Sequence, residues 1–114
     1  MHPEANTLME KLKTTADNLR NTGLVLSLNN RVADALNKLN VAITFNPRNA
    51  EYYLQRGILY KRLKDFNSAI DDFLMGVEKH QQSQSKDQVL FQNFQRQILL
   101  TYNDFALQCI QKGF

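Results

Sequence analysis

The segment from Ala50 to Val77, AEYYLQRGILYKRLKDFNSAIDDFLMGV, decides the fold of this chain. Its first half carries Tyr53, Gly57 and Tyr60 at intervals of four and three residues. Its second half has apolar or small residues at the same intervals, at Phe66, Ala69, Ile70, Phe73 and Val77. This spacing places them on one face of a helix in each half, and Lys64-Asp65 is typical of a turn between the halves. The segment therefore predicts two antiparallel helices of about 14 residues each.

The same pattern recurs 34 residues earlier in the chain. The small residues Gly57 and Ala69 correspond there to Gly23 and Ala35. The larger positions stay apolar, because Tyr53, Tyr60, Ile70, Phe73 and Val77 correspond to Leu19, Leu26, Leu36, Leu39 and Ile43. Pro47 closes the earlier unit, since the residue before a proline avoids helical backbone. A repeat of this length predicts units stacked into an array.

These two units resemble the tetratricopeptide repeat, in which small residues let two helices touch and aromatic residues fill the remaining space. The signature residues of the resemblance are Gly23, Ala35, Tyr53, Gly57, Tyr60, Ala69 and Phe73. The resemblance implies an all-α, antiparallel helix-hairpin array, an α-solenoid wound as a right-handed superhelix, of about 2.5 units. Arg56 replaces a usual leucine, and Gln81 a usual proline. Gln81 together with Gly76, which replaces an alanine, suggests that the second helix extends past its usual end.

We interpret residues 1–114 as a single domain made of consecutive helical segments. Residues 6–15 form an N-terminal helical extension, 16–49 a degenerate first repeat and 50–80 the second repeat. Residues 81–87 form a polar loop, and 88–112 form one long helix. This helix contains the first helix of an incomplete third repeat, in which Tyr102, Ala106 and Cys109 take inward positions. The chain is therefore expected to be the N-terminal piece of a longer array.

Composition and charge exclude several classes of protein. A net charge of +3, with its Lys and Arg residues scattered, does not indicate a nucleic-acid-binding surface. A single cysteine, Cys109, excludes an intrachain disulfide and is typical of a reducing compartment. No apolar stretch is long enough to predict a transmembrane helix. We therefore expect a cytoplasmic protein that contacts neither nucleic acid nor membrane.

In the family that this chain resembles, the first helix of each unit lines a groove that holds an extended peptide or a helix. The resemblance assigns the groove to Arg20, Leu24, Leu28, Glu51, Leu54, Ile58, Lys61 and Arg62, with further positions at Asp17, Ser27, Asn103, Leu107 and Ile110. An apolar strip beside three cations suits an amphipathic partner with acidic character. The strip is either a ligand site or a surface that other helices cover, and the sequence leaves both open.

Some family members bind the C-terminal tail of a chaperone through a clamp of Lys, Asn and Arg side chains. The clamp asparagines correspond here to Leu24 and Ile58, which cannot donate a hydrogen bond to a carboxylate. A chaperone tail is therefore not an expected partner.

Residues that could carry chemistry have simpler interpretations. His2 and His80 have no metal ligand at suitable spacing, so no metal is expected. Asp71 and Asp72 are adjacent on a helix and point to different sides, which favours a solvated face over a catalytic pair. Cys109 has no nearby histidine and is expected to be a small buried residue. We therefore expect no catalysis and no cofactor.

The predicted function is that of a non-catalytic protein interaction scaffold. The alternative is a structural assembly or capping segment that forms a homo-oligomer through its unpaired ends. The sequence names no partner, and the two hypotheses differ in the oligomeric state that they predict.

Overall fold

A computed structural model describes the backbone of residues 3–113 and the side chains of residues 7–113. Within that part of the chain, the helices are α1 (Pro3–Leu28), α2 (Val32–Phe45), α3 (Ala50–Arg62), α4 (Phe66–Gln82) and α5 (Gln88–Gln111). This architecture confirms the predicted all-α class. The N-terminal extension and the first helix of the first repeat form one continuous helix of 26 residues. His2 lies outside the described residues.

The two hairpin turns have the same geometry, 34 residues apart. Asn30 and Lys64 both have left-handed backbone with φ of 62°. The amide N–H of Arg31 donates to the carbonyl of Leu26 at 2.8 Å, and that of Asp65 donates to Tyr60 at 2.9 Å. These bonds satisfy carbonyls that the end of a helix would otherwise leave free. Such short turns make α1–α2 and α3–α4 antiparallel pairs.

Side-chain caps fix where three of the helices begin. The side chain of Asn49 accepts a hydrogen bond from the amide of Glu51 at 3.0 Å at the start of α3. Asp65 accepts from Ser68 at 3.2 Å at the start of α4, and Asp87 from the amide of Leu90 at 3.0 Å at the start of α5. Each cap satisfies an amide that the first turn of a helix leaves unpaired.

Glycines let the paired helices approach each other. A Cβ atom at Gly57 would lie 2.5 Å from the ring of Phe73, which is fully buried. The corresponding Gly23 faces the carbonyl of Ala35 at 3.3 Å and the side chain of Leu39 at 3.7 Å. The repeated small residues therefore occupy equivalent contacts in the two hairpins.

A third close approach joins α4 to α5, and the sequence did not predict it. Any Cβ at Gly76 would overlap the ring of Phe94, which is fully buried. Gly76 thus makes room for α5, while α4 runs on to Gln82 as the sequence suggests. The prediction that the loop begins at residue 81 is wrong, because Gln81 and Gln82 are still helical.

The helices form two layers. Side-chain contacts connect α1 to α3 and α3 to α5, and these three helices form one layer. The other layer consists of α2 and α4, which pack against the first. One core cluster combines Ala50, Leu54, Ala69, Phe73 and Phe94 from α3, α4 and α5. The outcome is a short stacked array whose α1–α3–α5 layer carries the predicted groove.

The outer side of α5 differs from the prediction. Tyr102 is 52% exposed and Ala106 is exposed, although both were expected to face inward. Phe94, which the helical spacing also predicts to face inward, is fully buried together with Thr101, and Phe105 packs edge-on against Phe66 with ring centres 5.8 Å apart. No described helix covers the opposite side of α5, so its apolar residues there remain exposed.

Candidate partner-binding groove

Two adjoining clefts follow α3 on the α1–α3–α5 layer, and together we call them the groove. The first, of about 190 Å³, lies between α1 and α3 and is lined by Gly23, Leu24, Ser27, Leu39, Leu54, Gln55, Ile58 and Leu59. The second, of about 480 Å³, lies between α3 and α5 and is lined by Ile58, Lys61, Arg62, Lys64, Phe66, Gln97, Asp104, Leu107, Gln108 and Gln111. Ile58 belongs to both clefts.

The structure brings part of the predicted groove set together. Leu24, Leu54, Ile58, Lys61 and Arg62 line the clefts. Of the further positions, Ser27 and Leu107 also line them. The remaining predicted positions, which are Asp17, Arg20, Leu28, Glu51, Asn103 and Ile110, line neither cleft.

The apolar strip is less exposed at its centre than the resemblance implied. Leu54 is only 8% exposed because it packs into the core with Ala69 and Phe73. Leu24 is 39% exposed and Ile58 is half-buried, so these two side chains provide the accessible apolar surface. Of the two alternatives for the strip, Leu54 therefore fits the covered surface.

The cations beside the strip already have partners on neighbouring helices. Arg20 forms a salt bridge with Glu51 at 2.6 Å, which connects α1 to α3. Lys61 approaches Asp104 at 3.5 Å, which connects α3 to α5. Arg62 donates to Ser27 and Asn30, beside the α1–α2 turn. Arg20 and Lys61 are therefore paired with carboxylates, whereas Arg62 has only neutral partners and Lys64 has no described partner.

One polar group in the first cleft has unused hydrogen-bonding capacity. The amide nitrogen of Gln55 donates to Glu51 at 3.2 Å, whereas its buried carbonyl oxygen has no partner among the described residues. A buried acceptor without a donor is costly, and a ligand N–H would satisfy it. Sequence reasoning missed Gln55, although its position one residue after Leu54 on α3 places it near the same strip.

Asp72 corrects the prediction of a solvated aspartate pair. The residue is 5% exposed, and Arg56 donates to its two carboxylate oxygens at 2.7 and 2.8 Å. Arg56 also donates to Asn40 at 3.0 Å, so the pair joins α2, α3 and α4. Burial raises the pKa of Asp72, and the hydrogen bond that Arg56 donates to Asp72 raises the pKa of Arg56. The Arg56 that replaces a family leucine thus belongs to a buried ion pair.

Three of the signature residues are fully buried and support the hairpins. Ala35, Ala69 and Phe73 have no measurable exposure. Tyr53 is 6% exposed, and its hydroxyl donates to the carbonyl of Pro47 at 2.8 Å. Tyr60 is half-buried against the core. These residues shape the array and do not line the groove.

No described part of the chain assembles a metal site, since no three His, Cys, Asp or Glu side chains come together there. His80 is buried and stacks on Phe91 with ring centres 6.0 Å apart. Cys109 is a free, half-buried thiol. Among the described helices, none has the length and apolar character needed to cross a membrane.

Comparison with known proteins agrees with this geometry. The chain is 37% identical over 98% of its length to Tetratricopeptide repeat protein 16 of Macaca fascicularis. It is 38% identical over 98% of its length to the Homo sapiens protein of that name, and 34% identical over 99% to that of Mus musculus. It spans 12–14% of the length of these relatives. No family model matches the chain.

Proposed function

This chain belongs to the tetratricopeptide repeat family, and from that premise we propose that it is a non-catalytic scaffold that binds a peptide or helix of a partner protein in the groove. The observation that carries the proposal is the continuity of the two clefts through Ile58. The first cleft is a concave, mostly apolar site with a few polar groups, which is typical of a binding surface, whereas most residues that line the second cleft are polar or charged. We also propose a cytoplasmic location and the division into repeats at residues 16–49 and 50–80.

The contacts in the groove refine the partner's expected chemistry. Apolar side chains would pack on Leu24 and Ile58, and a ligand N–H would pair with the buried oxygen of Gln55 once that side chain turns into the cleft. Since Arg20 and Lys61 already pair with carboxylates, an acidic ligand has little to gain from these two cations. We therefore propose an apolar segment whose backbone or amide groups donate hydrogen bonds. A chaperone tail remains outside the proposal because Leu24 and Ile58 offer no donor.

Site-specific crosslinking tests the groove directly. We would place a photoreactive benzophenone amino acid at Leu24, in the groove, and in a second protein at Leu74, which is 53% exposed on α4. The groove position should crosslink to one defined segment of a partner, and Ile58→Glu should remove that product because it buries a charge in the apolar cleft. Equal crosslinking from Leu74, or a product that persists in Ile58→Glu, would contradict the proposal.

Self-association is the second candidate, and the outer side of α5 supports it. Leu99, Tyr102 and Ile110 are 66%, 52% and 70% exposed there and would be covered by the same face of a second copy. Sedimentation velocity should then show a concentration-dependent dimer that Leu99→Gln with Ile110→Gln converts to a monomer. A wild-type monomer at every concentration would exclude this candidate and leave the groove proposal intact.

A further inference from the structure

The N-terminal turns of α1 form part of a second surface, which shares no lining residue with the groove. Since α1 has 26 residues and its antiparallel partner α2 has 14, about 12 residues of α1 extend past the end of α2. At a rise of about 1.5 Å per residue, the extension projects by roughly 18 Å. Leu8 and Met9 are 59% and 54% exposed on it. The extension therefore presents apolar side chains that α2 does not cover.

A cleft of about 570 Å³ separates this extension from the connection between α2 and α3. It is lined by Met9, Leu12, Lys13, Asp17, Phe45, Asn46, Pro47, Arg48 and Asn49. The apolar part combines Met9 and Leu12 of α1 with Phe45 at the end of α2, and Phe45 is 39% exposed. We call this surface the N-terminal cleft.

The N-terminal cleft differs from the groove in its charge. Lys13 and Arg48 both form no hydrogen bond or salt bridge with any described side chain, whereas two of the three cations that line the groove, Lys61 and Arg62, are engaged and Lys64 is not. The one carboxylate that lines the cleft belongs to Asp17, and it accepts a hydrogen bond from the hydroxyl of Tyr52. Free positive charge therefore lies beside the apolar side chains.

A smaller pocket extends the positive charge beyond the cleft. Arg48 also lines this pocket, of about 280 Å³, together with Lys79, Gln82 and Ser83. Lys79 has no partner among the described residues either. The positive surface thus continues from the α2–α3 connection to the last turn of α4, where basic side chains are favourable.

We propose that the N-terminal cleft binds an acidic amphipathic helix of a partner protein. Its apolar side would pack on Met9, Leu12 and Phe45, and carboxylates at the edge of that side would pair with Lys13 and Arg48. A helix suits the site because the apolar residues of α1 form a stripe along a helix axis, and two such stripes pack side by side. The unpaired charges determine the choice of an acidic partner.

A designed peptide pair tests this proposal by fluorescence anisotropy. The acidic probe is an acetylated, amidated and labelled helix of about 14 residues, with leucines at i, i+3 and i+4 and glutamates beside them. The control peptide replaces every glutamate with lysine. We expect the acidic probe to bind the full chain and the lysine peptide to bind at least about tenfold more weakly. Binding should weaken between about 50 and 300 mM salt, because exposed charges are screened.

Charge reversal in the protein then locates the site. The double variant Lys13→Glu, Arg48→Glu should bind the acidic probe about tenfold or more weakly than the wild type does, and it should bind the lysine peptide more tightly. That exchange of preference cannot arise from unfolding. The matched control, Lys86→Glu in the exposed 83–87 connection, should leave both affinities unchanged. Leu12→Ser should weaken both peptides, since it removes apolar contact without changing charge.

Three results would overturn the proposal. They are equal affinity for the two peptides, no exchange of preference in the charge-reversed protein, and no binding of the acidic probe up to about millimolar concentration. Ile58→Glu separates this surface from the groove, because it should leave binding of the acidic probe unchanged. If Ile58→Glu abolishes that binding, the probe occupies the groove and the N-terminal cleft is not the site.

Discussion

Phe73 occupies the space that any side chain larger than hydrogen would need at Gly57. A Cβ built on Gly57 would lie 2.5, 2.8 and 2.9 Å from three atoms of the Phe73 ring. Both residues are buried, and they belong to the two helices of one hairpin, α3 and α4. The distance between these helices is therefore set by a glycine facing an aromatic ring.

We expect Gly57→Ala to destabilise the chain despite the higher helix propensity of alanine. Overpacking a well-filled contact costs about 1–3 kcal/mol, which outweighs a propensity gain of about 1 kcal/mol. Gly57→Leu should cost more and unfold the hairpin. Thermal unfolding followed by circular dichroism measures the effect, and an unchanged melting temperature in both variants would contradict the assigned helix contact.

A double-mutant cycle provides the control for this contact. Phe73→Leu should recover part of the stability that Gly57→Ala loses, because the smaller side chain makes room for the methyl group. Gly23→Ala should cost less than Gly57→Ala, since its Cβ would meet Ala35 at 3.3 Å and Leu39 at 3.7 Å. Strictly additive effects of Gly57→Ala and Phe73→Leu would indicate that the two residues do not touch.

The ion pair of Arg56 and Asp72 gives a second prediction. Asp72→Ala should destabilise the chain by about 3–5 kcal/mol, because it leaves a partly buried guanidinium without its carboxylate. The neighbouring Asp71→Ala is the matched control, since Asp71 is exposed and should change the free energy of unfolding by at most about 0.5 kcal/mol. Urea unfolding of the two variants measures the difference.

Replacing both partners separates the net value of the pair from the cost of breaking it. Arg56→Leu, which introduces the residue usual in the family, combined with Asp72→Leu should be more stable than Asp72→Ala alone. If the double variant is instead the least stable of the set, then the pair contributes net stabilisation beyond what apolar packing can replace. Equal stability of Asp71→Ala and Asp72→Ala would mean that the buried pair does not form.

Local patterns explain how much of the fold could be predicted. The hairpins depend on spacing of three and four residues and on turns such as that at Lys64, which involve neighbours along the chain. The burial of Asp72 could not be predicted in the same way, because it requires Arg56 on another helix. Adjacent aspartates in a sequence look alike, and only the packing of α3 on α4 distinguishes them.

The groove also combines features that local patterns predict with features that depend on packing between helices. Its apolar residues Leu24 and Ile58 could be assigned by position within the repeat. The pairing of the charges beside the groove could not be assigned in this way. Arg20 pairs with Glu51, which is 31 residues away, and Arg62 pairs with Asn30, which is 32 residues away. Arg20 and Glu51 join α1 to α3, and Arg62 and Asn30 join α3 to the α1–α2 turn. Both pairs therefore form only once the first two repeats stack. Repeat position alone therefore does not show which of these charges are already paired.

A third prediction concerns the ionisation of Tyr52. Burial, and then the hydrogen bond to Asp17, raise its pKa from 10.0 to about 12. Between these values an unfolded chain loses the phenolic proton while the folded chain retains it. The free energy of unfolding should therefore fall as pH rises from about 10 towards 12. Tyr52→Phe should reduce this fall, as measured by urea unfolding at several pH values.

Absorbance of the phenolate near 295 nm checks the same ionisation without unfolding the protein. The part of the signal that appears last on raising the pH should be missing in Tyr52→Phe. Burial also raises the pKa of Tyr53, so Tyr53→Phe is the comparison that separates the two residues. If Tyr52→Phe instead loses the part of the signal that appears near pH 10, the assignment of the late step to Tyr52 is refuted.

The last prediction concerns Arg62, which holds the α1–α2 turn against α3. Its guanidinium donates to the carbonyl of Ser27 at 3.1 Å and to the side-chain oxygen of Asn30 at 3.1 Å. Arg62→Ala should destabilise the chain by about 1–2 kcal/mol and speed hydrogen exchange of the amides at residues 29–31. The stability of Arg62→Lys should lie between that of the wild type and that of Arg62→Ala, since lysine keeps the charge but loses the fork of donors.

Arg48→Ala is the matched control because Arg48 has no described partner. Unchanged exchange at residues 29–31 in Arg62→Ala would mean that the turn is held by its own backbone hydrogen bonds alone.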